Sequence, residues 1–367
     1  MMDRTVHSYE DARRMARKRL PWMVFDYIDG AAGNGEGEAS NRRAMADIHL
    51  QSRVLRDVRH RDLSTTVFDQ RAEVPFGIAP MGMCNLSAPK ADVFLACQAA
   101  KSCVPIGVST VASTDMETML ALSEGHAWFQ LYYSGDGSGT MALVERAKAA
   151  GYQTLVLTLD VPEVGRRPRE LRRGFKMPFK IGASQFIDFA LHPRWSISTL
   201  IHGRPEMANF QRDGFTFDRT ESRAGADWET LKKVRDAWPG RLVAKGVISV
   251  EDAVALKAAG VDAVQVSSHG GRQLDGGVPP ILALKAIRDA VGPAYPLFYD
   301  SGVRSGEDVA KALQQGADFI FFGRAMQFAI AANGEAGLQQ FWAGVSSDLS
   351  SAMAQMGHCD IASLKAR

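Results

Sequence analysis

Cysteine is scarce in this chain, and its four cysteines show no spacing that is typical of a metal site. Cys84, Cys97, Cys103 and Cys359 include no C-x-x-C pair, and no cysteine and histidine spacing matches a zinc site. The chain is therefore predicted to hold no metal ion. We expect reduced thiols in the core of a cytosolic protein.

Long uncharged apolar runs are absent as well. No stretch reaches the roughly 18 residues that a membrane-spanning helix needs. The first residues, MMDRTVHSYEDARR, are polar and lack the apolar core of a secretory signal peptide. We therefore expect a cytoplasmic protein without a spanning segment.

An excess of one charge is also lacking. The 367 residues include 43 Lys and Arg against 41 Asp and Glu, so the net charge of +2 predicts no nucleic-acid partner. Hydrophobic residues, in contrast, make up 46% of the chain, which is enough for a large core. The 34 glycines suit a protein with many tight turns between strands and helices.

The chain does contain a weak internal repeat. KAAGYQTLVLT (148–158) and KAAGVDAVQVS (257–267) share one pattern, and ALQQGADFIFFG (312–323) repeats it. In each copy a helix ends at a glycine and a continuous apolar run follows. Such a run is typical of a strand that is buried on both faces of a parallel sheet.

Eight strands of this kind are predicted along the chain. They lie near 76–81, 104–109, 127–132, 154–159, 242–246, 263–267, 297–300 and 318–323. Helical patterns such as 249–259 and 305–315 follow most of them, and both begin with a serine and a Glu-Asp pair, as helix N-termini prefer. Eight strands that alternate with helices predict an α/β fold, a (β/α)8 TIM barrel.

One domain is predicted to cover the whole chain, 1–367. Residues 1–75 are expected to form a helical N-terminal extension, and 76–367 the barrel. More than sixty residues separate the fourth strand from the helix at 227–237, so the barrel carries a long loop, 161–226. Loops of this length are usually lids, binding segments or disordered.

Polar residues stand at the carboxyl ends of the predicted strands, where barrel enzymes carry their catalytic groups. They are Ser109, Gln130 with Tyr132, Thr158 with Asp160, Lys245, Ser267 with His269, Asp300, and Gly323 with Arg324. A barrel that binds no ligand could carry one or two polar groups at these positions. This many around one rim predict a bound ligand.

The motif SSHGGRQLDGG (267–277) follows the sixth strand and contains His269 and Arg272. A histidine can accept a proton near neutral pH. An arginine can hold a carboxylate through two parallel hydrogen bonds. The pair therefore predicts a base and an anchor for a small organic acid, rather than a capping histidine beside a solvated arginine.

A second motif, LTLDVPEVGRR (157–167), follows the fourth strand. Asp160 could orient the imidazole of His269 and stabilise its cationic form, and Arg167 could be a second ligand of the carboxylate. The alternative is an exposed basic loop formed by Arg166, Arg167 and Arg169.

A third pattern joins YDSGVR (299–304) and FFGRA (321–325), which follow the last two strands. Barrels often bind phosphate there. Gly302 and Gly323 allow backbone N–H groups to approach closely, and Arg304 and Arg324 add positive charge. The pattern predicts a cofactor that carries a phosphate.

Lys245, at the end of the fifth strand, has two interpretations. It could face the ring of that cofactor and stabilise negative charge on it. It could also be one half of a buried ion pair with Asp300.

Taken together, the motifs resemble the family of FMN-dependent α-hydroxy-acid dehydrogenases and oxidases, and most of all its mandelate and L-lactate dehydrogenases. The resemblance extends from about Tyr9 to Leu364 and implies FMN as cofactor. It implies oxidation of an L-2-hydroxy acid to the 2-oxo acid, by loss of the α-proton or by hydride transfer. The stretches that carry it are SSHGGRQLD, LTLD with GRR, QLYY (130–133), VAKG (243–246) and YDSGVR.

The resemblance also implies roles for individual residues. His269 matches the base and Asp160 its partner carboxylate, while Tyr132 matches a catalytic tyrosine near the substrate hydroxyl. Tyr27, Arg167 and Arg272 match further substrate ligands. Positions around the flavin ring are Pro80, Met81, Gly82, Ser109, Gln130, Thr158, Lys245 and Ser267. Ribityl and phosphate contacts are Asp300, Ser301, Gly302, Val303, Arg304, Gly323 and Arg324.

The chain departs from the family at a few positions. Ser268 stands where the family usually has Asn, and Met81 where it usually has Thr. The stretch 33–35 has Gly-Asn-Gly where acidic residues are usual. Val111 replaces a large tryptophan of glycolate oxidase, so a roomier pocket and mandelate-like substrates are favoured.

The electron acceptor is expected to be a membrane quinone, with oxygen as the alternative. The segment 180–210 is apolar and is expected to attach the protein to the inner face of the cell membrane; the alternative is a lid over the active site. Its apolar residues are Phe186, Ile187, Phe189, Leu191, Trp195, Ile197, Leu200 and Ile201, with His192, Arg194 and Arg204 to face head groups. A homo-oligomer is expected, and a non-catalytic flavin-binding protein is the distant alternative.

Overall fold

Eight parallel strands close into a barrel, in chain order, with the last strand beside the first. This is a computed structural model, and it describes residues 5–175, 181–203, 205–210 and 222–365. The barrel strands are Phe76–Met81, Ile106–Ser109, Ala127–Tyr132, Thr154–Thr158, Arg241–Val247, Ala263–Val266, Leu297–Tyr299 and Phe319–Phe322. All eight lie where the apolar runs predicted them, and the (β/α)8 barrel is confirmed.

The register of the strands aligns their polar ends. Tyr132 pairs with Thr158, and Thr158 pairs with Lys245 in the next strand. The residues before them, such as Leu155 and Leu157, are fully buried. Because all strands run in the same direction, one rim of the barrel collects the functional side chains.

Helices surround the strands, and short polar side chains define where several of them begin. Ser249 and Ser305 accept hydrogen bonds from the backbone N–H three residues later, as the sequence predicted for these two helices. The helices are Ala91–Lys101, Met116–Leu122, Ser138–Ala150, Trp228–Ala237, Val250–Ala258, Pro280–Val291, Gly306–Gln314, Arg324–Met356 and Ile361–Lys365. The 33-residue helix among them is interrupted by non-helical backbone at Asn333 and Gly334.

The N-terminal extension contains the predicted helices and one element that was not predicted. The helices are Tyr9–Arg19, Trp22–Asp29 and Glu36–Ala46. A hairpin of two three-residue strands, Thr65–Val67 and Gln70–Ala72, follows them. Its turn residue Phe68 packs against the rings of Trp128 and Phe298, which lie on barrel strands, with centroids 5.5 and 5.4 Å away. Strands this short carry no recognisable period in sequence.

The long loop contains short helices that are tied to other parts of the molecule. They are Pro168–Arg172, Ala183–Leu191 and Pro193–His202, with a 3₁₀ turn at Ala208–Phe210. The Asp188 carboxylate accepts hydrogen bonds from the N–H groups of Trp22 and Met23, at 2.9 and 3.1 Å, and so caps the second helix of the extension. Trp195 Nε1 donates to the carbonyl of Leu86, just after the first strand, at 2.8 Å.

In the part of the chain that the structure describes, no helix combines the length and the apolar character that crossing a membrane requires. One expectation about the thiols is wrong. Only Cys84 is buried, and Cys97 is exposed, because it lies on the outward face of the helix Ala91–Lys101. Among the described residues, no group of His, Cys, Asp or Glu side chains could hold a metal ion.

Candidate active site

A cavity of about 520 Å³ opens at the carboxyl-terminal rim of the barrel. That volume is within the range of roughly 300–1,000 Å³ that is usual for ligand and cofactor sites. Sixteen of the predicted site residues line it: Tyr27, Pro80, Met81, Gly82, Tyr132, Arg167, Lys245, His269, Arg272, Asp300, Ser301, Gly302, Val303, Arg304, Gly323 and Arg324. The structure therefore brings together residues that lie up to 297 positions apart.

Five other predicted residues lie behind the cavity wall rather than on it. Ser109 Oγ donates to Gln130 Oε1 at 3.1 Å, and Gln130 Nε2 donates to Thr158 Oγ1 at 3.0 Å. Ser267 and Asp160 are the other two, and they contact Lys245 and His269 respectively. These residues fix the side chains in front of them.

His269 is held by Asp160. The imidazole Nδ1 donates to Asp160 Oδ1 at 3.1 Å, because an ionised carboxylate can only accept. This hydrogen bond assigns the lone pair to Nε2, which is the nitrogen available to a substrate. Gly246, at a φ of +97°, makes room for the carboxylate, since a Cβ there would lie 2.4 Å from Asp160 Cγ.

The protonation states of the pair suit a base and its partner. Burial lowers the pKa of the His269 imidazole, and the Asp160 carboxylate only partly offsets this effect. Burial would raise the pKa of the Asp160 carboxyl, but His269 and Lys245 together hold it below its usual value. At neutral pH the site therefore contains a neutral imidazole beside a carboxylate.

Lys245 forms the buried ion pair with Asp300 that the sequence allowed, and it also lines the cavity. Its Nζ lies 3.3 Å from Asp300 Oδ2 and donates to Ser267 Oγ at 3.0 Å, while the side chain also lines the cavity. Burial would lower the pKa of the ammonium group, but Asp300 and Asp160 raise it above its usual value. Lys245 thus carries a permanent positive charge into a buried site.

Two guanidinium groups face the cavity near His269, and one carboxylate lies between them. Arg272 donates to the carbonyls of Tyr27 and Gly30 at 2.8 and 2.7 Å, and to Glu170 Oε1 at 2.8 Å. Arg167 Nη1 lies 3.7 Å from Glu170 Oε2. Burial and the charge of Arg272 lower the pKa of Arg167. The group of three side chains keeps one net positive charge, which suits one carboxylate ligand.

Two tyrosines complete this part of the cavity. The Tyr27 ring stacks on Phe175, with centroids 4.4 Å apart. The Tyr132 ring lies under the guanidinium group of Arg223 at 4.2 Å. Burial raises the pKa of the Tyr132 phenol, so it stays protonated at neutral pH and can donate a hydrogen bond.

Another part of the cavity concentrates positive charge around Arg304 and Arg324. Ser301 and Gly302 both have left-handed backbone, with φ of +86° and +88°, which turns successive N–H groups toward one side. Arg304 and Arg324 lie beside them with their side chains almost fully buried. Burial and the charge of Arg304 lower the pKa of Arg324 to about 10. Glu38 pairs with Arg304 at 2.7 Å.

Sequence reasoning missed several residues of the cavity, and four of them are charged or aromatic side chains that contact the predicted ones: Glu38, Glu170, Phe175 and Arg223. Glu170 stands three residues after Arg167, which directly precedes the helix Pro168–Arg172, so helical spacing could have found it. The others lie in the extension and in the long loop, where no local pattern indicates a contact with the barrel. Ser268, which stands where the resembled family usually has Asn, accepts a hydrogen bond from Asn41 Nδ2 at 2.8 Å.

The basic loop that the sequence allowed as an alternative for Arg167 is present only in part. Arg166 is exposed, but Arg167 lines the cavity. Arg169 forms ion pairs with Asp26 and Asp29 at 2.5 and 2.9 Å, which tie the loop to the N-terminal extension.

Comparisons with known proteins are consistent with this geometry. The profile of a family described as FMN-dependent dehydrogenase matches residues 16–367. The (S)-mandelate dehydrogenase of Pseudomonas putida is 37% identical over 99% of this chain and 93% of its own length. An L-lactate dehydrogenase of Caulobacter vibrioides is 40% identical over 98% of this chain and 96% of its own length. A crystal structure of a monotopic membrane protein, (S)-mandelate dehydrogenase, superposes with a TM-score of 0.91 at 37% identity, over 98% of this chain and 97% of that one.

The contact between His269 and Asp160 makes a testable prediction. Asp160→Asn removes the charge that raises the pKa of His269, so that pKa should fall further below the usual value for histidine. Ring-proton NMR of histidine-labelled protein would measure it. His126, whose pKa burial also lowers, is the internal control and should not respond. An unchanged or higher pKa of His269 in the variant would show that Asp160 does not set its charge.

Proposed function

The chain belongs to the family of FMN-dependent dehydrogenases, and we propose that it oxidises an L-2-hydroxy acid to the 2-oxo acid with His269 as the base. The proposal rests on the arrangement of the base and of two arginines in one cavity. A neutral imidazole, oriented by Asp160, lies in the same cavity as the paired guanidinium groups of Arg167 and Arg272. Oxidation of a 2-hydroxy acid requires a base beside groups that bind the substrate carboxylate. We call Arg167 and Arg272 together the carboxylate clamp.

The residues present fit FMN. The paired buried arginines Arg304 and Arg324, with the left-handed turn at Ser301 and Gly302, are a donor set for a phosphate group. When bound, FMN supplies a ring that accepts two electrons. Lys245, buried and positively charged, is the residue that would stabilise negative charge on that ring.

The substrate is held by the clamp before any proton moves. Arg167 and Arg272 bind its carboxylate and so fix the carbon that bears the hydroxyl. The Tyr132 phenol donates a hydrogen bond near that hydroxyl. His269 Nε2 then accepts a proton, and Asp160 stabilises the imidazolium that forms. Loss of the α-proton and loss of the hydroxyl proton both require this neutral imidazole.

The walls around the clamp support a substrate with a bulky apolar substituent. Val111, Val161, Val164 and Phe175 line the cavity together with the ring of Tyr27. Val111 also closes against Gly82, where a Cβ would lie 2.5 Å from Val111 Cγ2. Mandelate-like acids are therefore the favoured substrates, with lactate-like acids as smaller members of the same class.

An apolar surface on the long loop supports a membrane quinone as acceptor. Six large side chains of the two loop helices are more than half exposed: Phe186, Ile187, Leu191, Ile197, Leu200 and Ile201. In the second helix, Ile197, Leu200 and Ile201 form one stripe, with Arg194 exposed at its start. A closed lid would bury these residues, so their exposure favours peripheral attachment to a membrane.

Three residues that the sequence assigned to this surface do not belong to it. Trp195 is buried and Phe189 is half-buried, with their rings 5.4 Å apart. His192 is buried as well and lies 3.2 Å from the Asp188 carboxylate, so it cannot face head groups. These side chains face inward because the helices dock on the extension through Asp188. Arg204 lies outside the described residues.

Removal of the base gives the first test of function. His269→Gln should leave FMN bound but slow the anaerobic reduction of FMN by a 2-hydroxy acid by at least roughly a hundredfold, the low end for general base catalysis. Bleaching of the flavin absorbance in a stopped-flow instrument measures the rate. His126→Gln, which changes a histidine outside the cavity, is the control. Near-normal reduction in His269→Gln would contradict the role of His269.

The clamp gives the second test. Arg272→Lys keeps the charge but loses the fork geometry and a hydrogen bond to the Tyr27 or Gly30 carbonyl, so reduction by the acid should slow by about tenfold or more. The neighbouring exposed Arg166→Lys is the control. Wild-type protein should reduce its flavin with the hydroxy acid far faster than with the corresponding amide. Equal rates with acid and amide would show that no carboxylate clamp exists.

Membrane attachment gives the third test. The double variant Leu200→Asp with Ile201→Asp should weaken sedimentation with phosphatidylglycerol vesicles by at least tenfold, about the loss expected for one buried leucine side chain. Flavin reduction by a soluble substrate should persist. Leu282→Asp, at an exposed leucine outside the loop, is the matched control. If wild-type protein does not sediment with the vesicles at low salt, the loop is a lid rather than a membrane anchor.

A further inference from the structure

Both anion-binding ends of the cavity already contain a carboxylate of this chain. Glu170 lies between Arg167 and Arg272, where the substrate carboxylate is expected. Glu38 lies beside Arg304 and Arg324, where the phosphate of FMN is expected. The two carboxylates occupy comparable positions, but the charges of the two ligands differ.

The contacts of Glu38 are made to the groups that a phosphate would use. Its Oε1 accepts a hydrogen bond from Arg304 Nη2 at 2.7 Å and lies 3.8 Å from Arg324 Nη1. The Arg304 guanidinium also lies 4.0 Å over the ring of Tyr9, so one of its faces is already covered. A phosphate that enters the site would therefore compete with Glu38 for the remaining N–H donors of Arg304 and Arg324.

The charge balance separates Glu38 from Glu170. One substrate carboxylate together with Glu170 balances the two positive charges of Arg167 and Arg272. A phosphate monoester carries about −1.5 to −2 at neutral pH. With Glu38 in place, negative charge would exceed that of Arg304 and Arg324 in a buried site, where like charges repel strongly. Glu38 is expected to oppose its ligand, whereas Glu170 is not.

The Glu38 side chain can move although its backbone cannot. The Gly37 N–H donates to Asp275 Oδ1 at 2.9 Å, which fixes the start of the helix. A Cβ on Gly271 would lie 2.5 Å from the Glu38 nitrogen, so the two backbones are in close contact. The Glu38 side chain, in contrast, is 29% exposed. Rotation of its side-chain torsions would carry the carboxylate toward solvent.

We propose that Glu38 is a displaceable carboxylate, which holds Arg304 and Arg324 together before the cofactor binds and competes with the phosphate of FMN for them. This inference rests on the FMN site described above. Two consequences follow for a variant without this charge, one for the affinity for FMN and one for thermal stability. Loss of the Glu38 charge tightens the binding of FMN, and it lowers the thermal stability of the cofactor-free protein, in which the two arginines then repel each other.

The test compares two flavins that differ only in the phosphate. Full-length apoprotein is titrated with FMN and, separately, with riboflavin, and quenching of flavin fluorescence reports binding. In Glu38→Gln the Kd for FMN should fall by roughly tenfold or more, the scale of one hydrogen bond between charged groups. The Kd for riboflavin should not change. Glu38→Gln should also lower the Tm of the apoprotein.

Glu36→Gln is the matched control, because Glu36 stands in the same helical turn but its side chain is exposed and pairs only loosely with Arg43. It should change neither Kd. A Kd for FMN in Glu38→Gln that is unchanged or higher would overturn the proposal, since Glu38 would then position Arg304 for the phosphate. Equal tightening of riboflavin would also overturn it. Wild-type protein that binds no FMN would overturn both the cofactor assignment and this proposal.

Discussion

Buried positive charge is the constraint on which the rim of this barrel depends. Besides Arg223, five cationic side chains line one cavity, and a buried ion without a partner costs several kcal/mol. Each is therefore matched by a carboxylate, as follows: Lys245 by Asp300, Arg167 and Arg272 by Glu170, and Arg304 and Arg324 by Glu38. Since two of these carboxylates serve two arginines each, positive charge remains at both ends of the cavity. That remaining charge is what an anionic substrate and a phosphate cofactor would meet.

The same balance between buried charges explains why the His269 imidazole is neutral. His269 is buried near Lys245, and both effects lower its pKa, while Asp160 prevents the imidazole from becoming too weak a base. The backbone contributes as well. His269 itself adopts a left-handed φ of +56°, and Gly270 and Gly271 follow with +66° and +73°. The left-handed conformation is costly only at His269, which is not a glycine, and it persists there because the surroundings impose it. In this conformation the imidazole contacts Asp160 across the rim.

The long loop connects this site to the proposed membrane surface. Its second half docks through Trp195 on the segment after the first strand, and through Asp188 on the helix that carries Tyr27. The exposed apolar stripe and the substrate cavity thus share supporting elements at one end of the barrel.

The sequence by itself determined the barrel and most of the predicted site, because these depend on local patterns. Apolar runs predicted all eight strands, three of them after a glycine that ends a helix. The parallel direction of those strands predicted that His269, Lys245 and Arg324 would meet at one rim. The tertiary structure alone decided which residues from outside the barrel reach that rim. Glu38, Phe175 and Arg223 come from the extension and the long loop. The structure also decided the position of Phe68, which comes from a hairpin too short to carry a period and packs against Trp128 and Phe298. Trp195 and His192 turn inward although their neighbours suggest an exposed surface. Contacts of this kind depend on how separate segments pack in space, and periodicity and spacing in the sequence carry no information about that.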